Sequence, residues 1–108
     1  MTGPFEVREY VEGERSPFAE WFEALDAVTA VRVQRYLRRL EAGNFGAAKS
    51  LREGVCEVRM DFGPGYRIYY GRERGTTIIL LGGGSKRRQD ADIAAAVERW
   101  KRYKQART

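Results

Sequence analysis

Two neighbouring segments of alternating residues carry side chains that could act on a phosphate. Glu57 and Arg59 lie two positions apart in the first segment, and Arg67 and Tyr69 lie two positions apart in the second. Because side chains alternate between the faces of a strand, and opposed side chains of paired strands lie about 5 Å apart, we expect all four on one open face. Two guanidiniums beside a carboxylate and an aromatic ring suit a nucleic-acid strand, whose phosphates bind cations and whose bases stack.

Further cations are expected around the same face. Lys49 is predicted in the loop that enters the first of these strands. A basic cluster follows the triple glycine after the last strand and consists of Lys86, Arg87 and Arg88. In this interpretation lysine and arginine hold phosphates, while Tyr69 or Tyr66 stacks a base. Ordinary packing in the core stays an alternative for both tyrosines.

The chemistry that these residues favour is metal-independent cleavage of a phosphodiester. Such cleavage needs a base for the attacking 2′-hydroxyl, cations for the crowded phosphorane and an acid for the leaving oxygen. Arg67 and Arg59 fit the role of the cations. The base stays open between Glu57, the nearest carboxylate by strand position, and a lysine whose pKa is depressed among arginines. A solubilising ion pair is the alternative interpretation of Glu57 and Arg59.

Composition excludes several other kinds of site. The 108 residues include no histidine and one cysteine, so the chain cannot assemble a Ser-His-Asp triad, a Cys–His dyad, a Cys/His zinc site or an internal disulfide. We expect neither a metal nor a cofactor. The lone thiol, the missing apolar signal segment and the absence of any apolar stretch of about 18 residues predict a cytoplasmic protein with no membrane partner.

The net charge of +5 is concentrated near one end of the chain. Residues 1–84 hold twelve basic and twelve acidic side chains, whereas residues 85–108 hold eight basic and three acidic ones. In that last part, Asp90 and Asp92 are expected to cap the start of a helix, and basic residues cluster at its end, as the helix dipole favours. Net charge is therefore a poor guide to the site, since Arg59 and Arg67 lie in the neutral part.

Periodicity predicts the elements that must position these residues. Alternation at period two predicts strands, and apolar residues at helical spacing predict helices. The expected elements are a strand over Phe5–Tyr10, a helix from Ser16-Pro17, a helix over Val28–Glu41, strands over Val55–Phe62, Tyr66–Tyr70 and Thr76–Leu81, and a helix over Asp90–Lys104. This order predicts an α+β fold in which an N-terminal helical hairpin packs on an antiparallel sheet, followed by a C-terminal helix, with the helices mainly on one face.

Several motifs of the chain are similar to those of a known family. They are Gly43-Asn44-Phe45-Gly46, Lys49 with Leu51, Gly54-Val55-Cys56-Glu57-Val58-Arg59, Phe62-Gly63-Pro64-Gly65-Tyr66-Arg67-Ile68-Tyr69, Gly83-Gly84-Ser85-Lys86, Gln89 and Asp92-Ile93. On these residues the chain resembles the addiction-module killer proteins of the RelE/ParE toxin superfamily, near its HigB branch. The resemblance covers nearly the whole chain and implies a single RelE-like toxin domain over residues 1–108.

The resemblance implies a bacterial type II toxin that acts as an endoribonuclease. RelE-like members cleave messenger RNA in the ribosomal A site, inhibit translation and are silenced by a cognate antitoxin, here expected to be a small helix-turn-helix protein. Arg67 matches the arginine that such toxins use on the scissile phosphate, and Arg59 matches a catalytic basic position on the preceding strand. Lys86 and Arg87 match the basic pair after the last strand. Where RelE carries a C-terminal tyrosine in its active site, this chain has Ile93, so the general base is unassigned.

A second function stays open within the same superfamily. ParE-like members bind a protein target such as DNA gyrase and cleave nothing, and a non-toxic RNA-binding relative is a third interpretation. The surface predicted around Glu57, Arg59, Arg67 and Lys86 favours the ribonuclease, because ParE-type relatives generally lack this set of catalytic cations.

Overall fold

A computed structural model describes residues 3–107, which form a five-stranded sheet and three α-helices. The strands are β1 (Glu6–Glu9), β2 (Ala48–Ser50), β3 (Val55–Arg59), β4 (Arg67–Glu73) and β5 (Thr77–Gly84). The helices are α1 (Pro17–Glu23), α2 (Ala27–Glu41) and α3 (Gln89–Ala106), and a short 3-10 helix, Lys86–Arg88, leads from β5 into α3. The fold is therefore mixed α+β with a C-terminal helix, as the sequence predicts.

The sheet is mostly antiparallel and contains one parallel pair. Its strands lie in the order β1-β5-β4-β3-β2, and β1 runs parallel to β5. The three strands β3, β4 and β5 form the predicted antiparallel succession. The short edge strand β2 was not expected, and it pairs with β3 so that Lys49 lies opposite Glu57. The prediction that Lys49 lies in a loop is thus wrong, because the residues before β3 pair with it.

The two N-terminal helices begin at side-chain caps. Ser16 Oγ accepts a hydrogen bond from the Ala19 amide at 3.0 Å, and Pro17 occupies the first helical position, as the sequence predicts. At the start of α2, Asp26 Oδ2 accepts from the Thr29 amide at 3.1 Å. These caps satisfy amides that have no partner within the helix, and the Asp26 cap marks the boundary between α1 and α2.

Both faces of the sheet are covered by helices. On one face, residues of α1 and α2 pack on the even-numbered positions of β3 and β4, with a core of Phe18, Val33, Leu40, Val58, Met60, Ile68, Tyr70, Ile78 and Leu80. On the other face, α3 packs on Val55, Tyr69, Ile79 and Leu81 through Ile93, Ala96, Val97 and Trp100. The expectation that the helices lie mainly on one face is wrong. α3 covers the other face because that face carries a second set of apolar residues, which must also be removed from water.

A glycine in the middle of β4 allows α3 to lie close to the sheet. The strand that the sequence predicts to end at Tyr70 continues through Gly71 to Glu73. A Cβ at Gly71 would lie 2.6 Å from the ring of Trp100. Because atoms at that separation overlap, the missing side chain provides the space in which the indole packs on the backbone of β4.

The helical hairpin remains a prediction. The contacts that hold the two N-terminal helices run to the sheet, from α1 to β5 and from α2 to β1. None of the helices within residues 3–107 is long and apolar enough to cross a membrane.

Candidate functional site

Four of the predicted site residues meet at neighbouring positions in the sheet. Glu57 of β3 lies opposite Lys49 of β2, and Arg59 lies opposite Arg67 of β4. Arg67 in turn lies opposite Gly84, at the end of β5, just before Lys86. Like charges directly opposite each other destabilise a sheet, and the carboxylate of Glu57 offsets this for the Arg59–Arg67 pair because it lies within ion-pair distance of Arg67. The register therefore concentrates cations at one end of three adjacent strands.

A surface cavity of about 500 Å³ lies over this part of the sheet. We call it the basic cleft, and its charged lining residues are Lys49, Glu57, Arg59, Asp61, Arg67 and Lys86. Lys49, Arg59 and Lys86 are exposed, and within residues 3–107 none of the three has an acidic partner within ion-pair distance. Three unpaired cations around one cavity are suited to bind a phosphate chain.

Arg67 is held beneath the cleft by a buried ion pair. Its Nε lies 3.3 Å from Glu57 Oε1, and the two side chains are only 6% and 4% exposed. The Nε–H makes no aligned hydrogen bond, so the contact is chiefly electrostatic. Arg67 Nη1 donates to the carbonyl of Gly65 at 2.7 Å, and Gln89 Nε2 donates to Glu57 Oε1 at 3.4 Å. These contacts restrict the guanidinium and connect it to the first residue of α3.

Tyr69 does not lie on an open face, and the expectation that it can stack an RNA base is wrong. Its side chain is 0% exposed because α3 lies over this part of the sheet. The hydroxyl has no hydrogen-bond partner among the described residues. Burial, followed by the charges of Glu57 and Asp92, raises the pKa of Tyr69 to about 12. The phenol is therefore neutral at physiological pH and belongs to the core. Tyr66 is half-buried beside Trp21 and Phe62, which matches the alternative interpretation of packing.

The basic cluster after β5 divides into two parts. Lys86 lines the basic cleft, and its amide donates to the carbonyl of Pro64 at 3.2 Å. Arg87 and Arg88 are exposed and line a neighbouring cavity of about 430 Å³ on the outer side of the 3-10 helix. The structure thus brings Lys86 to the cleft and leaves Arg87 and Arg88 beside it, where they could hold a longer strand.

The prediction that Asp90 and Asp92 cap the start of α3 is wrong. The N-cap residue of α3 is Arg88, and no side chain accepts a capping hydrogen bond. Asp90 and Asp92 lie in the first turn, where the helix dipole favours a negative charge. The carboxylate of Asp92 lies against Gly84, in space that a Cβ at that position would fill. Burial there raises the pKa of Asp92, although Arg88 and Arg99 act in the opposite direction.

Two polar residues of the cleft were not among the predicted site residues. Asp61 follows β3, and Gln89 begins α3. The signal for Asp61 was present, because it continues the alternation of Glu57 and Arg59 on the same side of the chain. The sequence did not show that Gln89 lies at the cleft, because its position there depends on the 3-10 helix that precedes it. In the described part of the chain, no group of three or more Cys, Asp or Glu side chains could hold a metal ion.

The comparison with family models identifies one family. Residues 20–103 match the model of the family described as phage-derived protein Gp49-like (DUF891). The chain belongs to this Gp49-like family, which is a toxin-like family of addiction modules. It is also similar to an uncharacterized protein of Haemophilus influenzae strain Rd, with 41% identity over 80 residues that cover 73% of this chain and 81% of that protein. No solved structure matches the chain.

Proposed function

We propose that this protein is the toxin of a type II toxin–antitoxin module, near the HigB branch of the RelE/ParE superfamily. In this proposal residues 1–108 form one toxin domain, with α1 and α2 as the helical hairpin of such toxins. It acts in the cytoplasm as a metal-independent endoribonuclease that cleaves messenger RNA in the ribosomal A site and thereby inhibits translation. Membership of a toxin-like family supports the toxin part, and it implies an antitoxin partner.

The basic cleft is the observation that carries the ribonuclease proposal. Arg59 and Lys86 are exposed and unpaired in the described structure, and the buried side chain of Arg67 lines the same cavity. A phosphodiester in the cleft would meet the free charges of Arg59 and Lys86 beside the guanidinium of Arg67, which is paired with Glu57, and the stabilisation would grow as the phosphorane gains negative charge. Lys49 at the edge strand, with Arg87 and Arg88 on the outer side, would hold neighbouring phosphates of the same strand.

The buried ion pair favours a positioning role for Glu57. A carboxylate that is 4% exposed and paired with Arg67 is poorly placed to accept a proton from a substrate in the cleft. It is well placed to hold the guanidinium in one orientation. The cation of Lys86 lines the cleft and has no acidic partner among the described residues, so we propose it as the acid that protonates the leaving oxygen, and the base stays unassigned.

The proposal can be tested by inducing the gene and mapping the ends of a reporter messenger RNA by primer extension. We expect wild-type protein to stop translation and to create new ends inside the coding region. Arg59→Ala should reduce these ends strongly, because Arg59 is exposed and its loss removes charge without disturbing the core. Arg35→Ala is the matched control, since Arg35 is an exposed arginine on α2, outside the basic cleft.

The same experiment separates the ribonuclease from a ParE-like poison. Arrest of growth with intact messenger RNA, together with altered plasmid supercoiling, would contradict RNA cleavage and favour inhibition of DNA gyrase. The antitoxin partner has its own test. The product of the adjacent gene should co-purify with this chain, and a failure to do so would contradict the toxin–antitoxin assignment.

A further inference from the structure

The turn between β3 and β4 encloses a second cavity beside the basic cleft. This cavity has a volume of about 380 Å³, and we call it the turn pocket. Its walls are formed by Asp61, Phe62, Pro64 and Gly65. Arg59, Arg67 and Lys86 line both cavities, so a group in the turn pocket would lie next to a phosphate in the cleft. A volume in this range is typical of sites for small molecules.

The turn that forms the pocket is held in one shape by packing. Gly63 and Gly65 have φ angles of +63° and +74°, which L side chains rarely adopt. A Cβ at Gly63 would overlap the ring of Tyr66, and one at Gly65 would lie 3.3 Å from Arg67 Nη1. The ring of Phe62 lies 5.6 Å from that of Tyr66, centroid to centroid. The pocket is thus preformed, with an aromatic ring and a proline as its apolar wall.

Asp61 is an acid in an otherwise cationic surface. It is exposed, and in the described chain no lysine or arginine lies within ion-pair distance of it. Tyr36 donates its hydroxyl hydrogen to Asp61 Oδ1 at 2.7 Å, and the same hydroxyl oxygen lies 3.3 Å from the Asp61 amide, which donates to it. These bonds fix the carboxylate and leave Oδ2 without a partner among the described residues. A negative charge repels phosphate, so binding of the RNA backbone does not explain its position.

The protonation state of Asp61 decides whether this carboxylate is suited to act as a general base or as an acceptor of hydrogen bonds. The hydrogen bond from Tyr36, followed by that of the backbone and the charges of Arg39 and Arg32, lowers the pKa of Asp61. A carboxylate with a lowered pKa is a weak general base near neutral pH, because proton transfer to it is unfavourable. It is ionised at all physiological pH values, and an ionised carboxylate is a strong and constant acceptor of hydrogen bonds.

We infer that the turn pocket binds one base of the RNA and that Asp61 selects guanine by accepting hydrogen bonds from its Watson–Crick edge. Guanine offers two adjacent donors, N1–H and the N2 amino group, to the two oxygens of a carboxylate. Adenine and cytosine each place an acceptor beside their single amino group, and uracil offers one N–H between two carbonyls. The inference deepens the proposed function and rests on it for the nature of the ligand. A bidentate contact of this kind discriminates between bases by roughly tenfold to a hundredfold.

Binding of short RNAs tests this inference without cleavage. The probes are fluorescein-labelled pentanucleotides of uridine that carry G, A, C, U or inosine at the centre, with 2′-O-methyl sugars so that no 2′-hydroxyl can attack. We expect wild-type protein to bind the G probe at least tenfold more tightly than the A, C and U probes. Inosine keeps N1–H and lacks the N2 amino group, so its affinity should fall between those of G and A.

Two variants separate base recognition from a structural role of Asp61. Asp61→Asn should bring the G probe to within about twofold of the others, while all probes bind somewhat more tightly because a negative charge is lost. Tyr36→Phe removes the hydrogen bond and keeps the carboxylate, so it should retain most of the preference for G. A preference that survives in Asp61→Asn, or an equal loss in both variants, would refute the inference.

The outcome for the inference is independent of the outcome for catalysis. Preference for G without any cleavage of messenger RNA would contradict the ribonuclease and support the base-binding pocket. Cleavage without a preference for G in the binding assay would support the ribonuclease and overturn the inference. If none of the probes binds, the inference is overturned, and the ribonuclease proposal is still decided by the mapping of messenger RNA ends.

Discussion

Removal of Glu57 should destabilise the fold far more than removal of an exposed acid. In Glu57→Ala the guanidinium of Arg67 keeps its bond to the Gly65 carbonyl but loses its anionic partner in a setting where it is only 6% exposed. Breaking a buried ion pair in this way costs about 3–5 kcal/mol. For a domain of this size the free energy of unfolding is about 5–15 kcal/mol, so the loss is a large fraction of the total.

The matched control is an ion pair that is shorter but exposed. Glu20 lies 2.8 Å from Arg15, and both side chains are at least half exposed. Because exposed pairs contribute about 0–1 kcal/mol, Glu20→Ala should change stability little even though its ion pair is shorter. Urea unfolding followed by tryptophan fluorescence measures both variants, and Glu57→Ala should lower the midpoint by more than about 1 M.

A double variant tests whether the unpaired charge of Arg67 causes the loss of stability in Glu57→Ala. Glu57→Leu combined with Arg67→Met removes both charges and fills similar space, and it should recover most of the stability that Glu57→Ala loses. It should also abolish RNA cleavage, since Arg67 is gone. The reasoning is refuted if Glu57→Ala is no more destabilising than Glu20→Ala, or if the double variant is as unstable as the single one.

Three further substitutions probe the α3 face and its polar groups. Gly71→Ala places a methyl group against the ring of Trp100 and should cost about 1–3 kcal/mol in urea unfolding. Tyr69→Phe removes a buried hydroxyl that has no partner in the described structure, so thermal unfolding should show equal or higher stability and RNA cleavage should persist. Burial raises the pKa of Asp92 in the folded state, so ionisation of this carboxyl opposes folding. Asp92→Asn should therefore be more stable than wild type at pH 7. The difference should vanish below about pH 4, where Asp92 is protonated in both the folded and the unfolded state.

The antiparallel succession of β3, β4 and β5 could be predicted from the sequence because it depends on local alternation, whereas the edge strand β2 and the parallel pairing of β1 with β5 could not. Glu57 and Arg59 alternate with Cys56 and Val58, and this pattern correctly predicts which side chains share a face of β3. The same rule places Arg67 on that face of β4. The positions of Arg59 and Arg67 follow from the alternation of side chains along a strand and from the pairing of neighbouring strands. Both are properties of short segments of sequence.

Which helix covers which face could not be predicted from short segments. Local alternation groups Tyr69 with Arg67, but it does not show that α3 crosses over Tyr69 and stops short of Arg59. Both sides of β5 carry apolar residues and therefore need a covering layer, but the sequence alone does not show that α3 provides the second layer. The pocket at the turn is also non-local, since Asp61 depends on Tyr36, which lies 25 positions earlier.

The central claim is that the protein cleaves RNA and that the cations of the basic cleft stabilise the phosphorane. Cleavage by the purified protein tests this claim most directly. An end-labelled messenger RNA on stalled ribosomes should be cut in the A site by wild-type protein, leaving a 2′,3′-cyclic phosphate because the 2′-hydroxyl attacks. Arg59→Ala should cut at least a hundredfold more slowly, as expected when one charge-stabilising contact is lost, whereas Arg35→Ala should match wild type. Intact messenger RNA with wild-type protein, or equal cutting by Arg59→Ala, would contradict the account.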